Sequence, residues 1–496
     1  MTHLSTANPS DTDQHSTTQR LWIGGTWTDG RSSRTFTSSS PSTGEPVATL
    51  REGTPEDIDD AVAAARAAVP ELRSTTAATR AGWCEAVADA LTARADALAS
   101  AMTAEQGKPR GEAEGEVATA IQGFREAAGH ALHLEGSTLP SSDPNKRILS
   151  RREPRGVYAV ITPWNFPINI PTEYLGPAIA TGNAVVWVPA PTTSYVAVLM
   201  AEAIAEAGLP DGAVNLITGP GAVVGDALVG HPDVDAIAFT GSTATGDSIA
   251  RRAAGKPLLL ELGGNGPTIV FADADLEKAS AAISAGAYFN AGQTCAATEV
   301  VLVERSVHDQ LAALLEEQAG AVQLGDPNDA ATTMGPLNND PTAAKTDAHI
   351  ADAVERGATV VTGGGRDTSR PTELFYRPTV LAEVPAESDV VTFETFGPIV
   401  PLVPFDTTEQ ALAIAAAPQF GLASSVWTSS ASTGFQVAEA LRTGIVNIND
   451  SSTYWEIHVP FGGGPGTKSG IGRLGGMHTL LAMTEIKTIT FDITAF

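Results

Sequence analysis

The chain is predicted to fold as an α/β protein with two sheet regions, each covered by helices. Three observations carry this. From residue 156 onward, short β-branched runs alternate with Ala-rich segments of helical period, the pattern of a parallel sheet with helices on both faces. The chain has 496 residues, more than one hydrophobic core usually holds, which suggests about three domains. There are only two cysteines, Cys84 and Cys295, so no disulfide framework supports the fold.

The elements follow in order. The polar start, residues 1–20, is expected to be a disordered tail, with no apolar core of the kind a signal peptide needs. Residues 54–107 are Ala-rich and helical, with Thr54 as cap, Pro55 in the first turn and Asp57 three residues on. Ile58, Val62, Ala65 and Val69 recur at helical spacing, and Gly107 and Pro109 close the region. Cys84, beside Trp83, reads as a small core thiol.

A basic stretch (Lys146, Arg147, Arg151, Arg152, Arg155) precedes the first strand pattern. Strands are expected at 156–163, 184–188, 214–218, 236–240 and 257–262, with helices at 172–180, 193–207, 222–229 and 243–253. In such sheets ligands sit at the carboxyl ends of the strands. A second α/β region, from Pro267 to about Gly463, carries strand patterns at 299–303, 359–362, 399–403, 424–428 and 445–449. Residues 485–491 alternate in character and are expected to pair as a terminal strand with another subunit, against a ribbon near 133–151.

Composition narrows function. Thirty Lys and Arg against 57 Asp and Glu give a formal charge of −27, a surface that repels nucleic acid and anionic membranes. No run of about 18 apolar residues is present to span a bilayer. Scarce cysteine points to a reducing, cytoplasmic setting.

Chemistry concentrates in a few segments. They are Thr162-Pro163-Trp164-Asn165-Phe166-Pro167, Phe239-Thr240-Gly241-Ser242-Thr243 ending at Gly246, Leu260-Glu261-Leu262-Gly263-Gly264 and Gly292-Gln293-Thr294-Cys295. Glu394-Thr395-Phe396-Gly397-Pro398 and Pro460-Phe461-Gly462-Gly463 follow. Singly each is weak: a Gly-Ser-Thr turn is usually a helix cap, and a lone cysteine usually packs. In this order and spacing they resemble the aldehyde dehydrogenase superfamily across residues 20–496.

The resemblance implies an aldehyde dehydrogenase fold: a Rossmann-like parallel-sheet cofactor domain, an α/β catalytic domain and a small β oligomerisation element. The expected division is 21–132 with 152–263 for dinucleotide binding, 264–465 for catalysis, and 133–151 with 477–496 for assembly into a homodimer or homotetramer. It also implies roles. Cys295 is the nucleophile, since only a thiolate attacks the carbonyl. Asn165, with the backbone N–H of Cys295, holds the developing oxyanion. Glu261 is the general base that primes water against the thioester, which favours hydrolysis over transfer to another acceptor. No metal is implied.

Gly241 and Ser242 match the turn where the cofactor pyrophosphate meets a helix N-terminus. Ile161, Thr162, Pro163, Trp164, Gly221, Gly225, Phe239, Thr240 and Leu262 fall on the cofactor's path. Glu394 matches the glutamate at the nicotinamide ribose, and Phe396 the ring beside the nicotinamide. Val188 and Pro191 replace the lysine and acid that usually contact the adenosine ribose. NAD is expected, with NADP as the alternative, because no cation is visible to pair with a 2′-phosphate.

Two stretches are expected to line the aldehyde tunnel: Glu173 with Tyr174, and Trp455 with Glu456 ahead of Phe461. Relatives often have lysine at Tyr174, and those that oxidise carboxylate-bearing semialdehydes tend to have arginine near Glu173. Neither stretch has a cation, so a neutral, aromatic or cationic aldehyde is expected. The alternatives are a carboxylate-bearing semialdehyde and a catalytically silent structural relative. Against the tunnel reading, Glu173 and Glu456 are equally expected to face solvent or pair with arginines.

Overall fold

The structure is a computed structural model that describes residues 18–253 and 255–495. Residues 1–17 of the expected tail lie outside the described residues. Residues 18–20 do not belong to a tail: the Gln19 amide donates to Thr49 O at 2.8 Å, and the Arg51 amide donates to Gln19 O at 2.9 Å.

Two large sheets organise the chain. The first runs, edge to edge, through Gly470–Ile471, Leu258–Glu261, Ala236–Thr240, Val157–Ile161, Ala184–Val188, Val214–Leu216, Leu21–Ile23 and Thr26–Thr28. Its five middle strands are parallel, and the pairs toward both edges are antiparallel. The middle strands are mostly apolar along both faces because both faces are covered, with Asn215, Thr240 and Glu261 as polar exceptions. Val157, Ala159, Val186 and Ile237 enter the core with helix Pro55–Ser74. Tyr158, Val160, Val185 and Ala238 enter the core of helices Ala77–Ala93 and Arg110–Ala131. Successive side chains point to opposite faces of a strand, so one apolar run feeds two cores.

The second sheet has the order Thr359–Thr362, Thr379–Ala382, Ile399–Phe405, Val300–Glu304, Pro267–Val270, Ala423–Trp427, Ile445–Ile448, parallel but for the first pair. The expected single helical stretch resolves into Pro55–Ser74, Ala77–Ala93 and Ala95–Gln106. Thr54 and Asp57 form a reciprocal cap at its start, and Gly107 closes it at φ +97°. Cys84 is fully buried, and burial pushes its thiol up to about 12.

The terminal strand Thr484–Asp492 differs from expectation. It pairs antiparallel with Lys146–Pro154 of its own chain, which in turn pairs with Ser137–Leu139. Nine register pairs run from Thr484↔Pro154 to Asp492↔Lys146, and Lys146 Nζ closes the far end on Asp492 at 2.6 Å. The long central strand therefore crosses the expected boundary at 151. Among the described residues, no helix is long and apolar enough to cross a membrane.

Candidate active site

The carboxyl ends of the parallel strands in the first sheet face the loop that carries Cys295. Ile161, Thr240 and Glu261 each end a neighbouring strand of this sheet. Gly264 lets the chain after Glu261 pass under that loop: a Cβ there would meet Cys295 O at 2.5 Å.

The cysteine loop is strained into place. Helix Leu276–Tyr288 ends, and Asn290, Ala291 and Gly292 follow at φ of 49°, 55° and 75°. Two consecutive left-handed residues other than glycine are costly and persist only where their surroundings over-determine them. Here buried hydrogen bonds do so. Asn290 Nδ2 donates to Asn165 O at 3.0 Å, and Asn290 Oδ1 accepts from Gln106 Nε2 at 2.9 Å. The Asn290 amide donates to Glu112 Oε2 at 3.0 Å, Gln293 Nε2 donates to Asn290 O at 2.8 Å, and Gln293 Oε1 accepts from the Asn338 amide at 2.8 Å.

Cys295, Asn165 and Glu261 come together at this point. Asn165 Nδ2 donates to Gln293 O at 3.0 Å, two residues before the cysteine. An amide carries two N–H bonds, so one donor remains. The backbone N–H of Cys295 has no partner among the described residues. The Cys295 thiol and the Thr240 hydroxyl face the Glu261 carboxylate, whose Oε1 has no hydrogen-bond partner. Burial raises the thiol well above its ordinary range, and Glu261 across from it raises it further. Burial likewise raises Glu261 well above the usual carboxylate range.

A second buried network, not read from the sequence, holds Asn165. Lys108 is fully buried and forms an ion pair with Glu116. Its Nζ also donates to Asn165 O at 3.0 Å and lies 4.1 Å from the Phe166 ring centroid. Glu116 Oε1 accepts from the amides of Ile168 and Asn169 at 2.9 and 3.1 Å. Breaking a buried pair leaves an uncompensated charge, at about 3–5 kcal/mol. Lys108→Met is therefore expected to lose about that much stability, read as an earlier midpoint in chemical denaturation. A midpoint unchanged from the parent chain would show that the pair does not hold the loop.

Most residues expected to hold a dinucleotide lie along the same strand ends, and Glu394 and Phe396 come from the loop before Ile399–Phe405 of the second sheet. Ser242 caps helix Thr243–Arg252, its side chain accepting from the Thr245 amide. Gly221–Gly225 forms a wide π-helical turn where a longer α-helix was expected, and an added Cβ at Gly221 would meet open space. Thr162 is buried, with its Oγ1 accepting from Trp187 Nε1 at 2.8 Å. Leu262 packs so closely on Gly246 that a Cβ there would sit 2.4 Å from it, holding the helix start against the sheet. Glu394 accepts from the Gly264 amide at 3.1 Å, and Phe396 and Trp164 meet edge to face at 5.7 Å. An open glycine turn and a capped helix start within one line of strand ends, with a carboxylate from the second sheet's loop, fit an anionic dinucleotide with ribose hydroxyls. Glu299, missed from sequence, accepts from the amides of Thr395 and Phe396 at 2.6 and 2.7 Å and so aims the Phe396 turn.

On the other side of Cys295 lies a cavity of about 1030 Å³. Glu173, Trp455, Glu456 and Phe461 line it, with Phe166, Asn169, Phe289 and His458 among their neighbours. Tyr174 does not. The fully buried helix Asn169–Thr181 turns Glu173 into the cavity, whereas one residue on, about 100° around the helix, Tyr174 packs away from it. The Tyr174 hydroxyl meets Thr240 Oγ1 at 2.7 Å, behind Glu261. Glu173 neither faces solvent nor meets an arginine; burial pushes it up to about 8. Glu456 is half exposed and lies 3.5 Å from His458 Nδ1.

Comparisons with known proteins agree with this geometry. The model of the aldehyde dehydrogenase family matches residues 27–489. The chain is 38% identical over 471 residues to the NADP(+) succinate-semialdehyde dehydrogenase of Escherichia coli, covering 95% of this chain and 97% of that one. It is 37% identical to a glutarate-semialdehyde dehydrogenase of Pseudomonas putida, over 96% and 98% of the two chains. Among solved structures, betaine aldehyde dehydrogenase of Staphylococcus aureus, in complex with NAD+, superposes with a TM-score of 0.93 at 34% identity, over 96% of this chain and 95% of that one.

Proposed function

The chain belongs to the aldehyde dehydrogenase family, and from that premise we propose that it hydrolyses a thioester formed on Cys295 to release a free carboxylic acid. The reaction consumes an aldehyde, water and NAD(P)+ and yields a carboxylate, NAD(P)H and two protons. The observation that carries this reading is the Glu261 carboxylate facing the Cys295 thiol, with one carboxylate oxygen unpartnered.

Glu261 takes the thiol proton, and the thiolate attacks the carbonyl carbon. The carbonyl oxygen becomes an alkoxide, which accepts the free Asn165 N–H and the Cys295 backbone N–H. Ser242, Gly241, Glu394 and the residues beside them would hold NAD(P)+, which would supply the hydride acceptor. Glu261 gives the thiol proton up to solvent, and water then attacks the thioester left on Cys295, passing its proton to the unpartnered oxygen of the ionised Glu261. The carboxylic acid departs and the Cys295 thiolate recovers its proton from Glu261. Asn165→Ala is expected to lower kcat about 10²–10³-fold, as for other lost oxyanion donors, with KM changed far less. Steady-state kinetics on one aldehyde checks this; an unchanged kcat would remove Asn165 from the reaction.

NAD is favoured as cofactor, because Val188, which is buried, and the partly exposed Pro191 offer no charge to a 2′-phosphate. The expected kcat/KM ratio is in favour of NAD+, and a preference for NADP+ above about tenfold, or 1.4 kcal/mol, overturns it. The E. coli relative's name specifies NADP(+), so this distinction belongs to the chain's own residues.

A second reading concerns the substrate. The relatives' names, succinate and glutarate semialdehyde, favour the carboxylate-bearing aldehyde over the neutral or aromatic one expected from the sequence. A homo-oligomer, dimer or tetramer, is supported by the terminal strand, and a cytoplasmic setting by two cysteines that are both free. Thr484–Asp492 is the outer strand of its three-stranded sheet, and Ile486, Ile489 and Phe491 are exposed on it.

A further inference from the structure

We infer that the aldehyde cavity selects a substrate whose far end carries an ammonium group, recognised by Glu173 and Asn169. This rests on the aldehyde oxidation proposed above and names its substrate class from this chain's own cavity, against the carboxylate-bearing aldehyde that the relatives' names favour.

The cavity wall has one sign of charge. Glu112, Glu116, Glu126, Glu173, Glu261 and Glu456 line it, and none of its lining residues is lysine or arginine. Most of these carboxylates already have work or partners. Glu116 is paired with Lys108, Glu112 accepts from Asn290, Glu126 lies 3.7 Å from His130, and Glu456 lies beside His458. Glu261 faces the reacting sulfur. Glu173 is left, nine-tenths buried, and the one hydrogen bond recorded for its side chain comes from Asn169 Nδ2 at 3.0 Å.

That hydrogen bond exposes a second, independent feature. With its N–H end spent on Glu173, Asn169 presents Oδ1, which is buried, lines the same cavity and has no partner. A buried acceptor without a donor is costly to leave unmade. Here an unpartnered carbonyl oxygen and a carboxyl group stand four residues apart on one helix, and in its ionised form the carboxyl joins the carbonyl as a second acceptor. An ammonium group has only donors to give and carries the complementary charge. A terminal carboxylate brings further acceptors and a second negative charge into a wall with no cation to receive it. A quaternary ammonium satisfies the charge but cannot donate to Asn169.

Burial pushes Glu173 up to about 8. At pH 7 the ionised form is then about one part in ten, so ionisation costs a bound cation about a factor of ten. An ammonium beside the carboxyl favours its ionised form and works against that cost. Phe166, Phe289, Trp455 and Phe461 line the same cavity as Glu173 and Cys295, and their ring faces also attract a cation.

The test is a kcat/KM comparison of three probes of similar size with NAD+ and with NADP+: 3-aminopropionaldehyde, butanal and succinate semialdehyde. The expected order is ammonium first, by about tenfold over butanal, with the carboxylate last. Propylammonium is expected to inhibit butanal oxidation competitively at concentrations where propionate does not. In Glu173→Gln, the ratio of ammonium to neutral aldehyde is expected to fall about tenfold. The wild-type panel and the inhibition stand even if that variant folds poorly. Succinate semialdehyde oxidised in preference to the other two, or propionate inhibiting better than propylammonium, overturns the inference and leaves aldehyde oxidation intact. Failure of all three aldehydes to reduce either cofactor overturns the proposed function itself.

Discussion

Replacing Cys295 with alanine is expected to cut aldehyde oxidation at least about 10⁴-fold while cofactor binding persists. The size of the effect follows from what the sulfur does. A bare aldehyde has no easily departing hydride; the tetrahedral adduct does, because the alkoxide pushes it out. Without the thiol, only a hydrated aldehyde could react, and the oxyanion donors would no longer be aimed at an atom fixed by a covalent bond. Cofactor binding should survive, since Ser242, Gly221, Gly225 and Glu394 sit on other elements. Titration of NAD+ by calorimetry, beside a 340 nm assay, separates the two effects. Loss of both together would mean that the variant has collapsed the loop at Asn290 and Ala291, and a partial loss of rate would remove the thiol from the central role. Cys84 cannot substitute: it is fully buried, its Sγ lies 3.6 Å from Gly176 O, and it does not line the cavity beside Cys295.

The second large effect is in Glu261→Gln. Glutamine keeps the volume and the facing contact with Cys295 but cannot accept a proton. Turnover is expected to fall about 10²–10⁴-fold, the usual worth of a general base. The first turnover should still deliver about one reduced cofactor per active site, as a burst followed by slow release. The carboxylate also faces the thiol in the resting site, so the burst itself should be slower than in the parent enzyme. Uniform slowing without a burst would place Glu261 only before the thioester and deny it the water-activating role.

The chemistry of the site was more legible in the sequence than its support. Cys295, Asn165 and Glu261 stand in short segments where unusual residues follow strand-like runs, so local pattern reaches them. Lys108, Glu116, Gln106 and Asn290 were not reached, because their meaning lies in pairs such as Gln106 with Asn290, which only the fold brings together. A buried lysine reads as a surface residue until its partner is known. Glu299 looked like a strand start, and only its two accepted amides reveal that it shapes the Phe396 turn.

Tyr174 shows a different limit. Its place beside Glu173 predicts a tunnel residue, but one residue along a helix is enough to move a side chain from the cavity to the sheet. The terminal strand shows another. Its alternation announced an edge-forming strand, but alternation does not say whether the partner belongs to the same chain. The nine-pair register with Lys146–Pro154 answers that for one edge.

Mass spectrometry of the Glu261→Gln enzyme, digested after brief exposure to an aldehyde and NAD+, tests the central claim most directly. The peptide holding Cys295 should gain the mass of the aldehyde less two hydrogens, lose it on treatment with hydroxylamine, and leave the Cys84 peptide unchanged. Reduced cofactor appearing with no such adduct, or with the adduct on another residue, would contradict the account.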